Sequence, residues 1–143
     1  MRKVQVSFDF LVIVIFAFMI FLEMFEVYAV ESSSARIRES MASATRIASS
    51  VARTINEVCK QNGTSATVTI PESLDTSDNY SLSIKASGRR VDISWPISSQ
   101  NRSVGVPILT SNITEFNLSK ILNSNQSVLT ISNINGSINV SGG

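Results

Sequence analysis

Few side chains here could do chemistry, and their spacing does not favour it. Histidine is absent from all 143 residues, which removes the commonest general base and the commonest metal ligand together. Serine is abundant, but without an imidazole no Ser–His nucleophile can be assembled. The acids beyond residue 60 are Glu72, Asp75, Asp78, Asp92 and Glu115, scattered without a spacing that converges them on one strand face. Asp75 and Asp78 border a polar loop whose oxygens offer weak calcium ligation at best; a solvated turn is the simpler reading. Cys59 is the single cysteine, so no internal disulfide forms, and an unpaired cysteine is more often packing than reagent. These residues predict no enzyme, no metal and no cofactor.

Two features remain that carry chemistry of another kind. The first is Asp9. It stands at the threshold of an apolar run from Phe10 to Leu22, where a buried carboxylate is costly unless a cation pairs with it. Cleavage between Val4 and Gln5 supplies one. It frees an α-amino group four residues before Asp9, and in a bundle of identical helices the amine of one copy meets Asp9 of the next.

The second feature is a set of Asn-x-Ser/Thr sequons at Asn62, Asn79, Asn101, Asn112, Asn117, Asn125, Asn135 and Asn139. None has proline in the middle, and none precedes residue 60. Chance alone predicts about three such sequons in so serine-rich a segment, against the eight present. The distribution fits an exported, glycosylated C-terminal part, with Asn135 also suited to a tight turn.

At the N-terminus the residues Gln5-x-Ser7-x-Asp9-Phe10 follow a short leader with Arg2 and Lys3 and precede the apolar run. This pattern resembles the archaeal class III signal peptide of type IV pilin-like proteins, over about the first thirty residues. The resemblance implies removal of residues 1–4 by a membrane aspartyl prepilin peptidase, leaving Gln5 first and the acid at the fifth mature position. It further implies that Asp9 serves subunit assembly, that the partners are other copies and a membrane assembly machinery, and that the product is an extracellular filament. Asp9 stands where the family usually has Glu, keeping the charge. Val4 stands where Gly or another small residue is usual.

The elements that must position these residues follow from hydropathy and periodicity. No Gly or Pro occurs before residue 63, and the apolar run resumes past Glu23 and Glu26 as far as Val30. A transmembrane helix needs roughly 20 apolar residues to cross ~30 Å of hydrocarbon, and residues 10–30 supply that. The two glutamates then lie near the far interface, and Arg2 and Lys3 hold the N-terminus in the cytoplasm. From Val30 to Lys60 apolar residues recur at Ile37, Met41, Ala44, Ala48, Val51, Ile55 and Val58. Steps of four and three lay them on one helical stripe. Asn62-Gly63 supplies a left-handed stop. One helix from about 7 to 60 would be ~80 Å long, too long for a domain of this size to bury.

After Gly63 the period becomes two. Thr67 to Ile70 reads as a strand. Tyr80, Leu82 and Ile84 pair with Trp95, Ile93 and Val91 across a two-residue loop at Ser87-Gly88, all six on one face. Val104, Val106 and Ile108 suggest another strand, which Pro107 restricts to an edge or a bulge. Ile113 to Leu122 reads as a short helix or an irregular connection, with the connection favoured, and Val128–Ser132 with Ser137–Val140 as a hairpin around Asn135-Gly136. The expected fold is α+β: leader 1–4, helix 5–62, and a small antiparallel β-sandwich-like head at 63–143 packed on the helix's second half.

The net charge is +1, and removing Arg2 and Lys3 takes 12 cations to 10 against 11 acids, a net of −1. No basic patch stands out, so nucleic acid is not an expected partner, and neither is a small-molecule substrate. A different class of function stays open. Val27-Tyr28-Ala29 satisfies the small-residue rule for an ordinary signal peptidase, which would release a secreted binding module starting at Val30. An uncleaved N-terminus would instead leave a membrane-anchored one. Asp9, Glu23 and Glu26 argue against the secreted form, since a secretory apolar region is normally uncharged.

Overall fold

A computed structural model of the chain describes residues 2–74, 79–97, 100–120 and 128–142. Helix α1 spans Arg2–Val58, followed by seven strands: β1 (Ser65–Thr69), β2 (Tyr80–Lys85), β3 (Arg90–Ile97), β4 (Gln100–Pro107), β5 (Phe116–Lys120), β6 (Val128–Ile134) and β7 (Ser137–Gly142). Two compact units result, residues 1–36 and residues 37–143.

The second unit holds two antiparallel sheets, ordered β1-β6-β7 and β4-β3-β2-β5. The fold is α+β, as the periodicity predicts. Its core is continuous: Ala48, Val51, Ile55 and Val58 of α1 join Leu82, Ile84, Ile93 and Trp95 of one sheet and Leu129, Ile131 and Ile138 of the other. About 80 residues of β structure bury only a small core alone, so the helical stripe completes it. The Trp95 ring is 1 % exposed, and its Nε1 has no hydrogen-bond partner among the described residues. That cost is outweighed by burying the largest side chain of the core.

The helical stripe departs from expectation at its N-terminal end. Met41 is 44 % exposed and Ile37 only half-buried, while Ser40, Ile47 and Ala52 are buried. The buried line is Ser40, Ala44, Ile47, Ala48, Val51, Ala52, Ile55 and Val58. Ser40, buried on this line, donates its hydroxyl to the Ile37 carbonyl at 3.1 Å. Ile55→Ala should therefore cost about 3 kcal/mol of unfolding free energy and Met41→Ala less than about 0.5. Denaturant melts of the full chain in detergent measure both, and equal effects would refute the shifted stripe.

The first hairpin keeps the expected register, with Ile84 opposite Val91 and Leu82 opposite Ile93. Its loop is wider than the two residues expected. The last pair is Lys85–Arg90, so Ala86 to Arg89 form the loop, closed by the Arg89 amide donating to the Ala86 carbonyl at 3.2 Å. Arg89 takes φ 47°, the left-handed residue that longer hairpin loops need to rejoin the strand twist. The last hairpin turns on Asn135 and Gly136 at φ 54° and 81°, the all-positive geometry that Asn-Gly favours.

The segment expected to be an irregular connection is, over Phe116–Lys120, strand β5, which pairs with β2 from Ile84–Phe116 to Tyr80–Lys120. Only Phe116 and Leu118 alternate inward there, too short a pattern to declare a strand before β2 supplies its hydrogen bonds. Pro107 falls at the last pair of β4, an edge strand, as its missing N–H requires.

Candidate functional site

The described acids do not converge on an active site. Glu72 and Glu115 are exposed, and Asp92 is a buried carboxylate already engaged, with Lys85 Nζ at 3.2 Å and Arg90 Nε at 3.0 Å. Gly105 lies opposite Asp92 on β4, where a Cβ would stand 2.6 Å from Asp92 Oδ1. The glycine makes room for this ion cluster, so the cluster is part of the sheet's packing. Asp75 and Asp78 lie outside the described residues. Among those described, no three Cys, Asp or Glu side chains gather with the spacing of a metal site. Cys59 is half-buried and donates its thiol to the Asn56 carbonyl at 3.2 Å. The Tyr80 hydroxyl donates to the Pro71 carbonyl, and burial pushes its phenol well above the usual range. An open cleft of about 380 Å³ is lined by Glu57, Val58, Lys60, Gln61 and Thr64. The one hydroxyl there, Thr64 Oγ1, is spent on the carbonyls of Val58 and Gln61.

The N-terminal unit presents a different kind of site. From Phe8 to Val30, seventeen large apolar side chains are exposed, among them Phe10 at 68 %, Phe16 at 64 % and Phe21 at 61 %. They occupy every side of α1, so no polar face is left for water. A helix apolar all round is a helix that belongs against lipid or other helices. Its length and composition suffice to cross a membrane, as an anchor or as a signal sequence. Asp9 is exposed between Phe8 and Phe10, which are 66 % and 68 % exposed. It takes no part in the ion pairs Arg53–Glu57, Lys85–Asp92 and Arg90–Asp92 seen among the described residues. Val4, Gln5 and Ser7 fall within the first turns of α1; their side chains lie outside the described residues.

The sequons separate into two groups. Asn62, Asn112, Asn135 and Asn139 gather around the β6–β7 turn and have structural work there. Asn62 Oδ1 accepts from the Asn135 amide at 2.8 Å, and Asn112 Nδ2 donates to the Gly136 carbonyl at 2.9 Å. Asn139, half-buried, accepts from the Thr114 hydroxyl at 2.8 Å. Asn101 on β4 and Asn117 on β5 are exposed, as is Asn79 at the entrance to β2. Asn125 lies outside the described residues.

One residue that the motif search passed over organises the helix end. Asn133, 3 % exposed, donates through Nδ2 to the carbonyls of Val58 at 3.1 Å, Gln61 at 3.2 Å and Cys59 at 3.4 Å. Its Oδ1 accepts from the Gly136 amide at 3.0 Å. The last carbonyls of a helix have no intrahelical partner, and Asn133 supplies one from the far end of the chain. A signal existed in the sequence. Asn133 continues the inward positions of Leu129 and Ile131, and with Asn123 it is one of two asparagines after residue 60 outside a sequon. No family model matches the chain, and neither does any curated protein or solved structure compared with it.

Proposed function

We propose that this chain is the structural subunit of an archaeal type IV pilus-like extracellular filament. It inserts in the cytoplasmic membrane as a precursor and loses residues 1–4 to a prepilin peptidase. It then polymerises by burying the apolar part of α1 among copies of itself, with a glycosylated β head turned outward for surface attachment. The observation that carries this reading is the N-terminal unit, in which seventeen exposed large apolar side chains surround a helix that bears one acid at its start. Burying such side chains is worth about 1.5–3 kcal/mol each. Most of the set, buried together, exceeds the roughly 4–15 kcal/mol that association costs. Lipid satisfies the apolar surface equally well but gives Asp9 no cation, whereas a neighbouring copy with a free N-terminal amine gives it one.

The test is intact mass and N-terminal peptide mass of the protein from native cells. A chain starting at Gln5, recovered with sheared extracellular filaments, is the expected result. A start at Val30 would make this a secreted module, and a start at Met1 a membrane-anchored monomer; either overturns the proposal.

A further inference from the structure

One edge of the three-stranded sheet is covered. In the three-stranded sheet, β7 is an edge strand by pairing, yet residues 112–114 lie along it. The Ile138 amide donates to the Asn112 carbonyl and the Thr114 amide to the Ile138 carbonyl, each at 2.9 Å, with a parallel bridge between Ile113 and Ile138. This covering segment holds Asn112 and Asn139 in place along with the Thr114 hydroxyl, which belongs to the Asn112 sequon. Among the described residues the four-stranded sheet is bounded by β4 and β5, each paired with a single strand. Bare edges of this kind are templates for pairing with another chain, and proteins guard them with charge, proline or bulk. β4 carries Arg102 and Pro107. It also carries Asn101, and β5 carries Asn117.

Both asparagines lie on the outer face of that sheet. On β4, Asn101 shares its parity with Ser103 and Gly105, which stand opposite Ser94 and Asp92 on the face away from Ile93 and Trp95. On β5, Asn117 stands opposite Ser83, between the inward-facing Phe116 and Leu118. The surface around them is small and hydroxylic: Ser81, Ser83, Ser94 and Gly105, with the Ser81 and Ser94 hydroxyls 2.8 Å apart. Pro96 stands opposite Asn101, and the Asp92 ion cluster shares the face, but both asparagines are exposed, so a sugar has room there.

We propose that the N-linked glycans of this chain sit at Asn101 and Asn117, on the two edge strands of the four-stranded sheet, while Asn62, Asn112, Asn135 and Asn139 stay bare. In the transfer, Nδ2 of the asparagine bonds to the anomeric carbon of a lipid-linked oligosaccharide. The sugar's C–O bond to phosphate breaks, the lipid phosphate leaves with the electron pair, and one amide proton is released. Asn112 and Asn139 cannot present their side chains without stripping the cover from β7. Asn62 cannot without giving up the bond that its Oδ1 accepts from the Asn135 amide, and Asn135 stands in a two-residue turn at φ 54°, pinned there by that same bond. Glycans at Asn101 and Asn117 would close both bare edges to strand addition and keep that face in solvent in any assembly.

The inference rests on export of the head, one part of the reading above. Glycopeptide mass spectrometry of the native full-length protein tests it. The expected result is glycan mass on the peptides bearing Asn101 and Asn117, lost singly in Asn101→Gln and Asn117→Gln, with Asn62, Asn112, Asn135 and Asn139 unmodified. A bare Asn101 or Asn117, or glycan on any of the four committed asparagines, overturns it. The same digest reports the N-terminal peptide, so the two proposals fail separately. A Gln5 start with bare sequons removes only the glycan sites, and a Met1 start with glycan at both leaves them standing.

Discussion

Asp9→Ala should leave the chain in the membrane and abolish the filaments proposed above. The apolar side chains that drive insertion are untouched, and removing a charge from the edge of that segment eases insertion. Assembly is another matter, since a bundle of such helices desolvates both the carboxylate and the neighbour's amine. Each of those charges is expensive alone and tolerable as a pair, and truncating one partner typically costs about 3–5 kcal/mol because the other is left buried unpaired. Repeated at every subunit, a deficit of that size takes the filament below detection. Asp9→Glu keeps the charge and should assemble. Asp9→Asn keeps the shape without the charge and should fail, which separates pairing from packing. Electron microscopy of sheared cell-surface material, with immunoblots of the membrane fraction, reads both halves. Normal filaments from Asp9→Ala would sink the assembly role of this residue.

Asn133→Ala is expected to be among the most destabilising single changes in the β-rich unit, at about 3 kcal/mol. The Cys59 carbonyl and the Gly136 amide lose their side-chain partner, and the carbonyls of Val58 and Gln61 are left with the Thr64 hydroxyl alone. Asn133 itself is buried, which keeps water from its bond to the Val58 carbonyl. For a unit of about 100 residues this lowers Tm by more than ~10 °C. Asn133→Asp tests the chemistry more sharply. It preserves shape but turns an acceptor toward the carbonyls, so it should be worse than alanine near neutral pH. Its carboxyl is favoured in the protonated form when folded, so its folded pKa is raised, and its deficit should shrink as pH falls. Thermal melts of the full chain in detergent across pH 4–8 measure this on the scale where carboxyls titrate. A deficit that is flat with pH, or an alanine variant as stable as the native chain, would show that the network is not what holds the helix end.

Sequence periodicity alone determined most of this molecule, and the reason is local. A helix is legible where apolar residues repeat at 3.6 and no Gly or Pro interrupts, as from Val30 to Val58. A hairpin is legible where alternation meets a turn dipeptide, as at Asn135-Gly136. Asp9 and the apolar segment were equally plain, because a charge at the border of an apolar run stands out without any fold. What the tertiary structure decided depends on residues far apart in the chain. β5 became a strand because β2 offered an open edge. The helical stripe rotated to bury Ser40 and expose Met41 because two sheets, and not the helix, set the line of contact. The eight sequons look alike as tripeptides, but pairing places two of them on bare edges and ties Asn112 and Asn139 to the covered edge of β7. Asn133 looks like a surface asparagine until the chain closes over 75 residues, bringing it under the last carbonyls of α1. Nothing but the folded backbone, with its unpaired groups, marks that place.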